Sequence, residues 1–108
     1  MLKIEKKEEK IYYLNLPRGD NGELELRVDG YTLGQNDMIL FKMGKDVTEP
    51  LIEKNISDFF ENCLSVSLLP DDTKGLPPGK YFYVVKLISS NGEVYTLIEK
   101  SVFTLEDS

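Results

Sequence analysis

The amino-acid sequence predicts an all-β protein, about seven strands folded into two packed antiparallel sheets with no disulfide. Three observations lead there. Apolar residues alternate with polar ones at a period of two over most of the chain. Gly, Pro, Asn and Asp clusters interrupt that alternation every ~8–12 residues, the spacing of turns between short strands. Leu51, Ile52, Ile56, Phe59 and Phe60 roughly fit a helical stripe, but Asn55, Ser57 and Asp58 argue against a continuous helix there, and only one cysteine is present.

The strands are read in order. The first covers 11–16, before "PRGDNG". In "GELELRV" Leu24, Leu26 and Val28 share one face, and Glu23, Glu25 and Arg27 the other, giving a strand over 23–29 with one buried and one wet face. "VDGYTLGQND" separates it from a strand at 38–43. "EPLIEKNISDFFENC" is ambiguous: a short strand at 51–54 followed by an irregular connection, with a single helical turn near 57–61 as the alternative. "CLSVSLL" repeats the alternation over 63–69, with Leu64, Val66 and Leu68 against Ser65 and Ser67. "LPPG" blocks a helix before Tyr81, since proline lacks an amide donor and fixes φ. "KYFYVVKLI" is apolar on both faces and predicts a central, well-covered strand at 80–88. "SSNG" then turns into a last strand at 93–105, broken near Lys100; Asn91 and Gly92 are expected to take the two positive-φ positions of the hairpin turn. Seven such strands correspond to an immunoglobulin-like antiparallel β-sandwich. The Cys…Trp…Cys core of antibody domains is absent, because the chain has no Trp and one Cys. Residues 1–108 form a single domain, with 1–10 a frayed arm or edge strand.

Composition narrows the function. The 19 acidic and 13 basic side chains leave a net charge of −6, which repels phosphate backbones and anionic lipid, so neither nucleic acid nor membrane is an expected partner. No apolar run reaches the ~18 residues of a membrane span. "MLKIEKKEEK" lacks the uninterrupted apolar segment of a secretory signal, so the expectation is a cytoplasmic chain or one that begins after a cleaved leader. There is no His, hence neither the commonest zinc ligand nor the commonest general base. The serines have no His to activate them, and no phosphate-binding glycine loop occurs. An enzyme is not expected, nor is a metal or other cofactor.

Each chemically suggestive residue has a structural reading. Asp71 and Asp72 could form a carboxylate pair, but lack the alternate spacing of a calcium loop. Asp72 and Thr73 are expected instead to bond nearby backbone and fix the turn before Pro77 and Pro78. Tyr81 or Tyr83 behind that turn, near Gly79, fits a tyrosine corner. Cys63 reads as a small structural side chain. Arg18-Gly19-Asp20 matches an integrin-binding tripeptide or is only the turn that starts the next strand, and the tripeptide alone does not decide. Partner contacts are expected at Tyr12 or Tyr13, which face opposite sides of a strand, and at Tyr31.

Residues 70–105, "PDDTKGLPPGKYFYVVKLISSNGEVYTLIEKSVFTL", resemble the immunoglobulin-like domains of tailed-phage and prophage baseplate proteins from Gram-positive bacteria, such as the N-terminal domain of baseplate upper proteins. The matching positions are Asp72-Thr73, Leu76, Pro78-Gly79, Tyr81, Tyr83, Asn91-Gly92, Tyr95-Thr96 and Phe103-Thr104. "RGDNGELELRV" and "QNDMILFKM" fit the family's N-terminal half. There the resemblance implies that Arg18-Gly19-Asp20 is the turn into the strand at 23–29, with Gly19 and Gly22 allowing the backbone path, Asp20 capping local amides and Arg18 solvated. Val84 departs from it, standing where the family commonly has Asp. The resemblance implies a non-enzymatic structural module, a virion component that assembles with other tail or baseplate subunits through sheet edges or faces. With the chain ending at Ser108, such a module would act alone. The alternative is a carbohydrate-binding or adhesin-type sandwich at a cell surface, with Tyr31 beside Gln35, Asn36 and Asp37 as the platform.

Overall fold

The computed structural model describes residues 14–46 and 48–107. They are mostly β: β1 (Leu14–Pro17), β2 (Gly22–Arg27), β3 (Met38–Gly44), β4 (Ile52–Ile56), β5 (Cys63–Leu68), β6 (Gly79–Ile88) and β7 (Val94–Glu106). Among the described residues the one helix is α1 (Pro70–Thr73), and none is long and apolar enough to cross a membrane. The expected arm at 1–10 and the start of the first strand lie outside the described residues.

The strands form a five-stranded sheet in the order β1-β7-β6-β3-β4 and a two-stranded sheet, β2-β5. The expectation of purely antiparallel sheets is corrected by β1, which pairs parallel to β7, Leu14 opposite Phe103 and Leu16 opposite Leu105. Alternation reports which side chains face inward. It is the same for parallel and antiparallel neighbours, so strand direction was not in the pattern.

Both sheets contribute to one core. From β2 and β5 come Leu24, Leu26, Leu64, Val66 and Leu68; facing them are Ile39, Phe41, Met43, Tyr81, Tyr83, Val85, Leu87, Phe103 and Leu105. Tyr83 stacks on Phe41 with centroids 5.8 Å apart and meets Phe103 edge-on at 6.5 Å. Strand β6 lies between β7 and β3, which accounts for its apolar residues on both faces. Even Val84, on its outer face, is buried.

The expected break near Lys100 is a pair of register shifts inside one continuous strand. Tyr83 pairs with Ser101, Val85 with Ile98 and Lys86 with Thr96. Val84 is therefore opposed by both Glu99 and Lys100, and Leu97 is also supernumerary. One such slip turns every later side chain to the other face, and a second turns it back. Tyr95 and Phe103 thus both face the core.

After β4 the alternative helical turn does not form. Phe60 and Cys63 exchange backbone bonds at 3.0 and 2.8 Å, and Glu61 and Asn62 between them have φ of 49° and 64°. That is a two-residue hairpin turn of the kind expected at Asn91-Gly92.

Candidate functional site

Three connections meet at one end of the molecule: 28–37 after β2, 57–62 after β4 and 89–93 after β6. Two side chains bind them together. Asn62 donates to the carbonyls of Val28 (3.0 Å) and Tyr31 (2.5 Å) and accepts the Leu33 amide at 2.9 Å. Asp37, 4% exposed, accepts from the Tyr31 hydroxyl at 2.9 Å, the Gly34 amide at 2.7 Å and the Ser90 amide at 2.9 Å. Burial pushes the Asp37 carboxyl upward, but bonds from Gly34, Tyr31 and Ser90 outweigh it and hold the group below its usual range.

This end carries aromatic surface. Tyr31 and Tyr95 are half-buried against the core. The bond to Asp37 raises the Tyr31 pKa, and a bond to Glu93 does the same for Tyr95, so both hydroxyls stay protonated and donate. Phe60 stands 76% exposed on the neighbouring turn. Beside it runs an open groove of about 620 Å³ lined by Arg27, Ile56, Phe59, Phe60 and Cys63 among others.

The residues anticipated as contacts are thus partly placed. Tyr31 belongs to this end; Tyr12 and Tyr13 lie outside the described residues. Asp37 is withdrawn from any platform, because its carboxylate is consumed by the loops. Tyr95 and Phe60 were not singled out as contacts. For Phe60 the signal was there: with Phe59 on the core side, its neighbour on an extended backbone has to face out.

The remaining residues build corners. Asp72 accepts the Leu69 amide at 2.7 Å and pairs with Lys54 at 2.9 Å. Burial opposes its ionisation, and these two partners together hold its pKa below the usual value. Asp71 is exposed, so the two carboxylates do not share a site. Thr73, fully buried, accepts the Gly19 amide at 2.9 Å across the chain. It therefore anchors a distant turn rather than only its own. Gly79 opens β6, and the Tyr81 hydroxyl donates to the Pro77 carbonyl at 2.6 Å, the bond of a tyrosine corner.

In the β6–β7 hairpin only Gly92 has positive φ, at 86°. The Gly92 amide bonds to the Ser89 carbonyl at 2.9 Å, and the Ser89 amide to the Glu93 carbonyl at 2.8 Å. The expected positive φ at Asn91 is corrected. Its side chain instead bonds to Ser89 and Glu93, in a type I turn closed by a left-handed glycine.

Arg18-Gly19-Asp20 forms a turn, with Asp20 donating to Pro17 at 3.1 Å and Gly19 at φ 82°. Arg18 lies 3.6 Å from Asp107. Asp20, expected to cap amides, is exposed, and no side-chain bond is formed by it among the described residues. Cys63 faces outward from β5 and is exposed, since Leu64, Val66 and Leu68 take the inner face. Among the described residues no three His, Cys, Asp or Glu side chains gather where a metal could bind.

No protein-family model matches the chain, and no curated protein matches it either.

Proposed function

We propose that this chain is an immunoglobulin-like sandwich acting as a non-enzymatic protein-interaction module, a tail or baseplate component of a phage-derived particle. The observation that carries the interaction role is the cross-linked loop end. Asn62 and Asp37 immobilise three connections around Tyr31, Tyr95 and Phe60, and a pre-ordered aromatic surface loses little entropy on docking. The sandwich reading is supported by strand order: β7-β6-β3-β4 in one sheet and β2-β5 in the other follow the G-F-C-C′ and B-E arrangement of variable-type domains. The corner bond from Tyr81 to Pro77 adds to it. In that arrangement the three connections are the ones antibodies use for binding, an analogy of fold. The phage assignment rests on the residues of the resemblance, Asp72-Thr73 through Phe103-Thr104. Its partners are other particle subunits or further copies of itself, with assembly beginning in the cytoplasm.

The test is co-expression with proteins encoded beside this gene, followed by affinity purification. The proposal expects co-purification with tail proteins, lost on Tyr31→Ala combined with Phe60→Ala while the circular dichroism spectrum is unchanged. Saturable binding of cell-wall sugars, abolished by Tyr31→Ala alone, would replace it with the carbohydrate-binding reading, which the pair Tyr31 and Tyr95 favours.

A further inference from the structure

The outer face of the five-stranded sheet carries a second surface of different chemistry. Pairing sets its side chains in rows across the strands. Lys42 stands opposite Val84, and Val84 opposite Glu99 and Lys100. Leu40, Lys86 and Thr96 form the next row, and Phe82 and Val102 the one before. Around Val84 lies a depression of about 360 Å³ lined by Lys42, Thr48, Lys86, Thr96, Glu99 and Lys100. The β7 bulge raises the charge density there. Where a regular strand would turn one side chain outward, Glu99 and Lys100 both emerge, between buried Ile98 and Ser101. At the margin the Lys100 and Lys80 ammonium groups sit 4.4 and 5.4 Å from the Phe82 ring centre.

Four lysines thus share one face of a chain whose net charge is −6. None of them makes an ion pair with another described residue. The opposite sheet turns Glu23, Glu25 and Arg27 outward, whereas on this face the lysines outnumber Glu53 and Glu99, with Asp46 interacting electrostatically with Lys100.

We propose that this face docks an extended, acidic segment of a partner protein, its carboxylates meeting Lys42, Lys86 and Lys100 and its apolar side chains lying over Val84 and Phe82. Three features favour a polypeptide over a polyphosphate. The cations are all lysines, and Arg18 and Arg27 lie elsewhere, so the bidentate fork that recognises phosphate is missing. Glu53 opposite Lys42 repels a continuous polyanion but leaves room for spaced carboxylates. The floor is apolar. Lys42 on β3 and Lys100 on β7 are two strand spacings apart, about 10 Å, between the ~7 Å that separates side chains i and i+2 of an extended chain and the ~13 Å of i and i+4, a gap that flexible lysine stems span.

The experiment titrates the whole chain with a synthetic peptide in which Glu alternates with Val, followed by amide NMR and calorimetry. Saturable binding is expected, with shifts centred on Lys42, Val84, Lys86, Thr96 and Lys100, weakening as salt rises. Lys86→Glu with Lys100→Glu should weaken it about tenfold or more; the milder Lys42→Gln with Lys100→Gln should weaken it in the same direction. Lys74→Glu, outside this face, and Tyr31→Ala should leave it unchanged. Long lysine stems also keep an exposed sheet face soluble; if that is their whole role, no saturable binding occurs and the proposal fails. It fails equally if the charge reversals bind as well as the parent chain, or if heparin or a DNA oligomer binds this face more tightly than the peptide.

Discussion

A single carboxylate, Asp37, has the largest consequence at the scale of one residue. It is buried, ionised and bonded to two amides and a hydroxyl. Asp37→Asn removes the charge and turns amide hydrogens toward donors. It should cost about 1.5–3 kcal/mol, the range for hydrogen bonds to a charged group, measured by urea unfolding at neutral pH. The pH dependence follows from the lowered native pKa. The unfolded carboxyl, near 3.9, binds protons more readily than the native one, so stability falls as pH drops. The contribution is whole above about pH 4 and disappears as pH falls through the lower native value. Asn at this position should flatten that acid limb without abolishing it, because Asp72 and Asp46 are shifted the same way. An acid limb as steep as the parent's would remove Asp37 from this role.

Hairpins carry the lesson at the scale of elements. One hairpin turn is expected from the sequence, at Asn91-Gly92, where positive φ is least costly, yet the chain places its left-handed pair at Glu61 and Asn62. Left-handed φ costs an ordinary residue roughly 1–2 kcal/mol, and the three bonds of the Asn62 side chain offset it. In the other hairpin only Gly92 is left-handed. Gly92→Ala should therefore destabilise by about 1 kcal/mol or more, whereas Asn91→Gly should give no gain, read from thermal unfolding. A stabilising Asn91→Gly would mean that Asn91 does occupy left-handed space. The paired slips in β7 belong to this scale too. Alternation showed the interruption near Lys100, but not that a second slip would restore the phase.

For the whole molecule, the two sheets depend on ties between distant segments. Thr73 holds the Gly19 turn, Lys54 meets Asp72, and Asp37 joins the first loop to the last. Native-state hydrogen exchange should be slowest in the central strands β6 and β3 and faster in the edge strands β1 and β4. The amides of Leu33, Gly34 and Ser90, though in loops, should be protected well beyond their loop neighbours, since each bonds to a buried or half-buried side chain. Rapid exchange at all three would show the loop end to be mobile and would weaken the proposed docking surface. Much of this fold was legible in advance. Six strand positions, the central place of β6 and the corner at Tyr81 followed from local patterns of period, proline and turn residue. The site was less so. Tyr31 was visible as an aromatic in a polar loop, but its union with Tyr95 and Phe60 was not.

By itself the sequence determined the β character, the strands and their inward faces, because a two-residue period and turn chemistry act between neighbours in the chain. Tertiary structure alone decided that β1 runs parallel to β7, that Asp37 is a buried tie, and that lysines from β3, β6 and β7 converge on one face. Those outcomes depend on which strands become neighbours. That choice is made by burying two sheets against a common core, and no short window of residues contains it.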